Sequence, residues 1–131
     1  MSIFNNHSAE ILIVLFFCIT YFFSVLEKLI NWKETVAYYK THFKKTILKN
    51  IIPLLLIKVI LLEVVALLTL CTGLYFIVTQ NDFLISKIAL QISAFTLILF
   101  LIGQRLVKDY QGATSIAVYF ILNIFGIYLL T

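Results

Sequence analysis

The sequence predicts an all-α, polytopic membrane protein: a four-transmembrane-helix bundle with a basic amphipathic interfacial helix between helices 1 and 2. Three observations carry that expectation. The 131 residues are 63% hydrophobic and only 12% charged, whereas a soluble domain carries about a quarter charged residues. The apolar residues gather into four runs, each near the roughly 20 residues that cross the hydrocarbon core as a helix. One markedly polar stretch, residues 31–50, separates the first run from the second. The remaining connections are too short for a soluble domain, so a single membrane domain is expected over residues 1–131.

The first helix is expected over about 9–30, with ILIVLFFCITYFFSVL uninterrupted by charge. The preceding MSIFNNHSAE has no Lys or Arg and no small-residue cleavage site follows the run, so this reads as a retained helix rather than a signal peptide. In residues 31–50, Trp32, Val36, Tyr39, Phe43 and Ile47 recur at spacings of 4, 3, 4 and 4, one face of an α-helix. Lys33, Lys44, Lys45 and Lys49 fall away from that face, and Lys40 lies on its flank. A basic helix with aromatics on its apolar side suits the lipid interface, against anionic headgroups.

The second span is expected over 51–78, with Pro53 in its first turn, where a missing N–H costs little. Thr79 to Asp82 forms a tight turn, with Asn81 or Asp82 as N-cap of the third span, 82–106. Val107, Lys108 and Asp109 turn into the fourth, 110–131, where Gly112, Ser115, Tyr119, Asn123 and Gly126 mark the face packed on other helices. Lys and Arg set the orientation. Lys28, Lys33, Lys40, Lys44, Lys45, Lys49, Arg105 and Lys108 fall on one side and only Lys87 on the other. Both termini are therefore expected outside, with the lysine-rich connections in the cytoplasm.

Two ionisable residues, Lys58 and Glu63, interrupt the apolar run of the second span. A charge at membrane depth costs at least a few kcal/mol and normally faces a protein interior with a partner. Laid antiparallel, the first two spans put Cys18 level with Cys71, and Glu27 and Lys28 level with Glu63. The expected polar site is therefore Glu63 with Lys28, Glu27, Lys58 and Gln91. Lys28 or Lys58 could neutralise Glu63 and fix packing, or the group could line a pocket that binds a headgroup or moves a proton. Gln91 and Asn123 are expected to hydrogen-bond between helices. The two cysteines form no CxxC and no metal spacing, and act as small apolar residues unless their equal depth lets them pair.

The chain contains no GxSxG, GxGxxG, P-loop or HExxH pattern. No autonomous catalysis, no metal site and no nucleic-acid surface is expected, and the lysines suit lipid headgroups instead. Several stretches together resemble the DoxX-like family of small four-helix bacterial membrane proteins. They are FFSVLEKL (Phe22 to Leu29), EVVALLTLCTGLYF (Glu63 to Phe76) and KDYQGATSIAVYFILNIFGIYLL from Lys108. Lys28 and Glu63 match the family best. The resemblance implies an accessory or anchor subunit of a membrane redox complex, with a redox protein on the cytoplasmic side and quinone as a cofactor it would help reach. It carries over no catalytic residue. Two other readings fit the same pattern: a proton-coupled transporter of cationic solutes working as a homodimer, and a purely structural membrane protein.

Overall fold

Backbone amides have no water to bond in the bilayer core, so apolar runs of this length must satisfy them internally as helices. The computed structural model, which describes residues 5–131, follows that rule. Its helices are α1 (Ser8–Ile30), α2 (Trp32–His42), α3 (Ile52–Gln80), α4 (Leu84–Leu106) and α5 (Tyr110–Leu130). All but α2 are long and apolar enough to cross a membrane, and there is no strand among the described residues. The protein is thus an all-α bundle of the kind that sits within a bilayer, and its spans begin and end close to where the hydropathy places them.

The four long helices form a ring in which α1 neighbours α3 and α5, and α4 packs on α3 and α5. Small residues set the closest approaches. A Cβ on Gly73 of α3 would lie 2.7 Å from the Ser86 backbone of α4. One on Gly126 of α5 would lie 2.9 Å from both Ile13 and Leu90. This is how membrane helices associate, through backbone proximity and dispersion rather than expulsion of water. Val14, Phe17, Leu70, Ile77 and Leu90 fill the centre, while Leu61, Leu68, Phe95, Val118 and Ile121 project outward as a lipid-facing surface would. On α5 the inward face is narrower than the sequence implies: Asn123 and Gly126 are buried, but Ser115 is exposed and bonds only its own Gln111 carbonyl.

The polar connection departs from expectation in two ways. The helix stops at His42, and residues 43–50 continue as turns, so Ile47 leaves the apolar stripe and stands 86% exposed. The rest of the stripe also turns toward protein. Trp32, Val36 and Tyr39 pack with Leu48 and Val107 against Phe43, Ile52 and Leu56. The reason is local: the first turns of α3 present Ile52 and Leu56 at the end of the bundle, and α2 covers them. Lys33, Lys40, Lys44, Lys45 and Lys49 remain on the exposed side, as their spacing requires. His42 Nε2 lies 3.8 Å from Asp109 Oδ2, linking the end of α2 to the turn before α5.

The turns have specific chemistry. Asn81 adopts φ 54°, a left-handed conformation that asparagine tolerates, and closes α3 through its own N–H to Ile77. It is therefore the C-cap of α3 rather than an N-cap, and Asp82 accepts from Leu84 N at 3.1 Å instead. Asp109 caps α5 by accepting from Gly112 N. One expectation fails at the centre of the bundle. Asn123 is fully buried, yet neither its Nδ2 nor its Oδ1 meets a partner among the described residues. A buried amide without partners costs about 1–3 kcal/mol. Asn123→Leu, which keeps the branching of the side chain and removes the polar atoms, should therefore stabilise the bundle by up to about that amount, less the cost of fitting two larger methyl groups. The measurement is a denaturant titration of the purified protein in detergent, and unchanged or lower stability would show that the amide is satisfied in the native membrane.

Candidate functional site

Helix α1 carries Tyr21, Ser24 and Lys28 at spacings that keep them on one face. Across from that face, α3 presents Glu63, and Lys28 Nζ donates to Glu63 Oε1 at 2.9 Å. Ser24 Oγ accepts a second proton from the same ammonium at 2.5 Å. The carboxylate is 0% exposed and the lysine side chain 15% exposed, so the pair is closed off at Glu63 and partly open at Lys28. Glu63 Oε2 has no hydrogen-bond partner among the described residues. One oxygen of a buried carboxylate thus keeps its full capacity to accept.

The pair belongs to a larger polar layer. Tyr21 OH and Ser93 Oγ are 2.7 Å apart, which spans the ring diagonally from α1 to α4. Burial raises the pKa of the Tyr39 phenol, with Tyr38 and then Glu63 adding to the effect, so Tyr39 stays protonated at neutral pH. Between α1 and α2 opens a cleft of about 500 Å³, bordered by Ser24, Glu27, Lys28 and Asn31 on one side. Glu34, Thr35, Tyr38 and Tyr39 border it on the other. A second, mainly apolar crevice of about 180 Å³ runs between α1, α4 and α5 and shares Ser24 with the cleft.

Of the residues expected to meet, Lys28 and Glu63 do so directly, and Glu27 borders the cleft without an ion pair. Lys58 does not join them. It lies five positions before Glu63 on α3, about 140° around the helix axis, and its side chain is exposed. Neutralisation of Glu63 therefore falls to Lys28. Gln91 is exposed as well, because the inward stripe of α4 runs through Leu90, Ser93, Ala94 and Leu97. Cys18 and Cys71 come level as expected, with their sulfurs 3.9 Å apart and both thiols free. Tyr21, Ser24 and Tyr39 are additions to the expected site. The spacing of Tyr21 and Ser24 to Lys28 is the signal that points to them.

What this arrangement can do is hold charge, accept a hydrogen bond at Glu63 Oε2, and bind a polar group in the cleft. It presents no nucleophile activated by a neighbouring base. Compared with known proteins, the chain matches no family model, no curated protein and no solved structure. The DoxX-like resemblance thus rests on the sequence motifs alone.

Breaking a buried pair leaves one charge without compensation, at a cost of about 3–5 kcal/mol, whereas replacing both partners by apolar groups is often neutral. Lys28→Met should accordingly destabilise the bundle by about that amount, and Lys28→Met with Glu63→Leu should recover most of it. A denaturant titration of the four proteins in a double-mutant cycle measures this. Additive losses would mean that the two side chains do not depend on each other.

Proposed function

We propose that the chain is an integral protein of the bacterial cytoplasmic membrane, both termini outside, that serves as an accessory or anchor subunit of a quinone-linked redox complex. It works by non-covalent contact and leaves catalysis to its partner. The observation that carries this reading is the Lys28–Glu63 pair. These are the two positions at which the chain best resembles DoxX-like proteins, and they lie 2.9 Å apart behind a polar cleft. Charged groups are retained at membrane depth where a function or an assembly needs them. A pair that faces a cleft at the end of the bundle, beside the connection that a soluble partner would approach, suits a docking role. The proton-coupled transporter reading is weaker, because Lys28 occupies the carboxylate that would have to bind a cationic solute.

The test is recovery of partners from native membranes by the tagged full chain. Wild type should bring down a membrane-bound oxidoreductase and its quinone-linked activity. Glu63→Gln removes the charge but keeps the shape, and should lower that recovery by about tenfold, the effect of losing about 1.4 kcal/mol of binding. Unchanged recovery of partner and activity with this variant would sink the reading. Proton-driven solute flux in liposomes containing only this chain would favour the transporter instead.

A further inference from the structure

The cleft between α1 and α2 has an unusual charge balance. Lys28 borders it, but its charge is engaged by Glu63, and no other lysine lines it. Glu27 and Glu34 also border it, and neither forms an ion pair among the described residues. With the lysine matched by Glu63, the cleft is net acidic, although the surrounding connection is rich in lysine. Tyr38 and Tyr39 add ring faces to the same wall, and aromatic faces attract cations. An anionic headgroup would be repelled from this wall and drawn to the lysines outside it.

Two further features define a ligand rather than a bare acidic patch. Lys28 has three donors, of which Ser24 and Glu63 take two, so one remains for an anionic oxygen. Ser24 also borders the apolar crevice, whose walls include Phe17, Leu97, Phe100, Ile116 and Tyr119. The sequence of environments is therefore carboxylates and aromatics, then a lysine with a spare donor, then an apolar slot. A zwitterionic phospholipid presents the same order: ammonium, phosphate, acyl chain.

We propose that this cleft binds a phospholipid whose headgroup carries a primary ammonium, a phosphatidylethanolamine, with the first carbons of one acyl chain in the crevice between α1, α4 and α5. The ammonium donates to Glu27 and Glu34, and the phosphate accepts from Lys28. A quaternary ammonium has no N–H to donate, so phosphatidylcholine binds less well. The proposal deepens the binding role given above and rests on that reading only in taking the cleft as a contact surface. A site-bound lipid would complete the surface that a membrane partner meets.

Native mass spectrometry of the purified full chain in dodecyl maltoside tests it, using phosphatidylethanolamine, phosphatidylcholine and phosphatidylglycerol of identical acyl chains. Wild type should retain the ethanolamine lipid about fivefold more than either other, the size expected of about 1 kcal/mol from partly exposed charge contacts. Glu27→Gln with Glu34→Gln should abolish the preference while helical content by circular dichroism stays unchanged. If that double variant misfolds, Glu34→Gln alone should halve the preference or reduce it further. Ile116→Trp, which fills the crevice, should reduce retention of the ethanolamine lipid. Equal retention of the three lipids by wild type, or a preference that survives loss of both carboxylates, overturns the proposal. Because no redox partner is present, failure here leaves the partner-docking proposal standing, and failed partner recovery leaves this one standing.

Discussion

A carboxylate with no exposure to solvent is the constraint around which this bundle is built. A charge in an apolar interior is costly unless a counter-charge lies at contact distance, and Lys28 Nζ reaches Glu63 Oε1 at 2.9 Å. That single requirement sets the relative depth of α1 and α3. With Lys28 against Glu63, the two sulfurs of Cys18 and Cys71 come to 3.9 Å farther along the same interface. Gly73 then stands where Ser86 of α4 can approach the backbone of α3 closely. Side-chain packing between apolar helices in lipid is weakly selective about sliding, because lipid is as apolar as leucine. A fixed polar contact supplies the register that dispersion does not.

The spans were legible because each property that defines them is a run or a period, and both survive in one dimension. Depth was legible for the same reason: Lys28 and Glu63, and Cys18 and Cys71, could be matched by counting along antiparallel helices. What a run conceals is direction around the axis. Lys58 and Glu63 share an apolar stretch, and only the rotation of about 100° per residue separates them, leaving Lys58 exposed while Glu63 is buried. Gln91 went astray in the same manner, one residue from the buried Leu90. The end of α2 was hidden for a different reason. The apolar spacing continues to Ile47, but helix and turn can both carry it over one cycle, and the packing of Leu48 beside Phe43 favours the turn.

Asn123 shows a limit of another kind. Its position on the inward face of α5 follows from the period, and a buried amide normally finds a partner. Whether one lies within reach depends on the side chains that three other helices bring to that level. Of the polar groups inside the ring, Tyr21 and Ser93 bond each other. Helix-by-helix periodicity places a polar residue inside the bundle but says nothing about whether the bundle answers it.

The cleft has its origin in the backbone between α1 and α2. Asn31 leaves helical geometry at φ −107° and ψ 43°, yet the Thr35 N–H still bonds its carbonyl at 2.8 Å and its own N–H bonds Glu27. The chain therefore bends while keeping these two hydrogen bonds across the junction. Ser24, Glu27, Lys28 and Asn31 on one side, and Glu34, Thr35 and Tyr38 on the other, follow one another at spacings of 3 and 4 or side by side. They form a single polar stripe that runs through the bend, and both helices line the cleft with it. The apolar stripe of α2 faces the start of α3 and holds the bend in place. Amphipathicity here has a geometric consequence. Covering Ile52 and Leu56 with one face of α2 brings its other face to the polar end of α1, so the packing that closes the bundle is also what forms the cleft beside the buried pair.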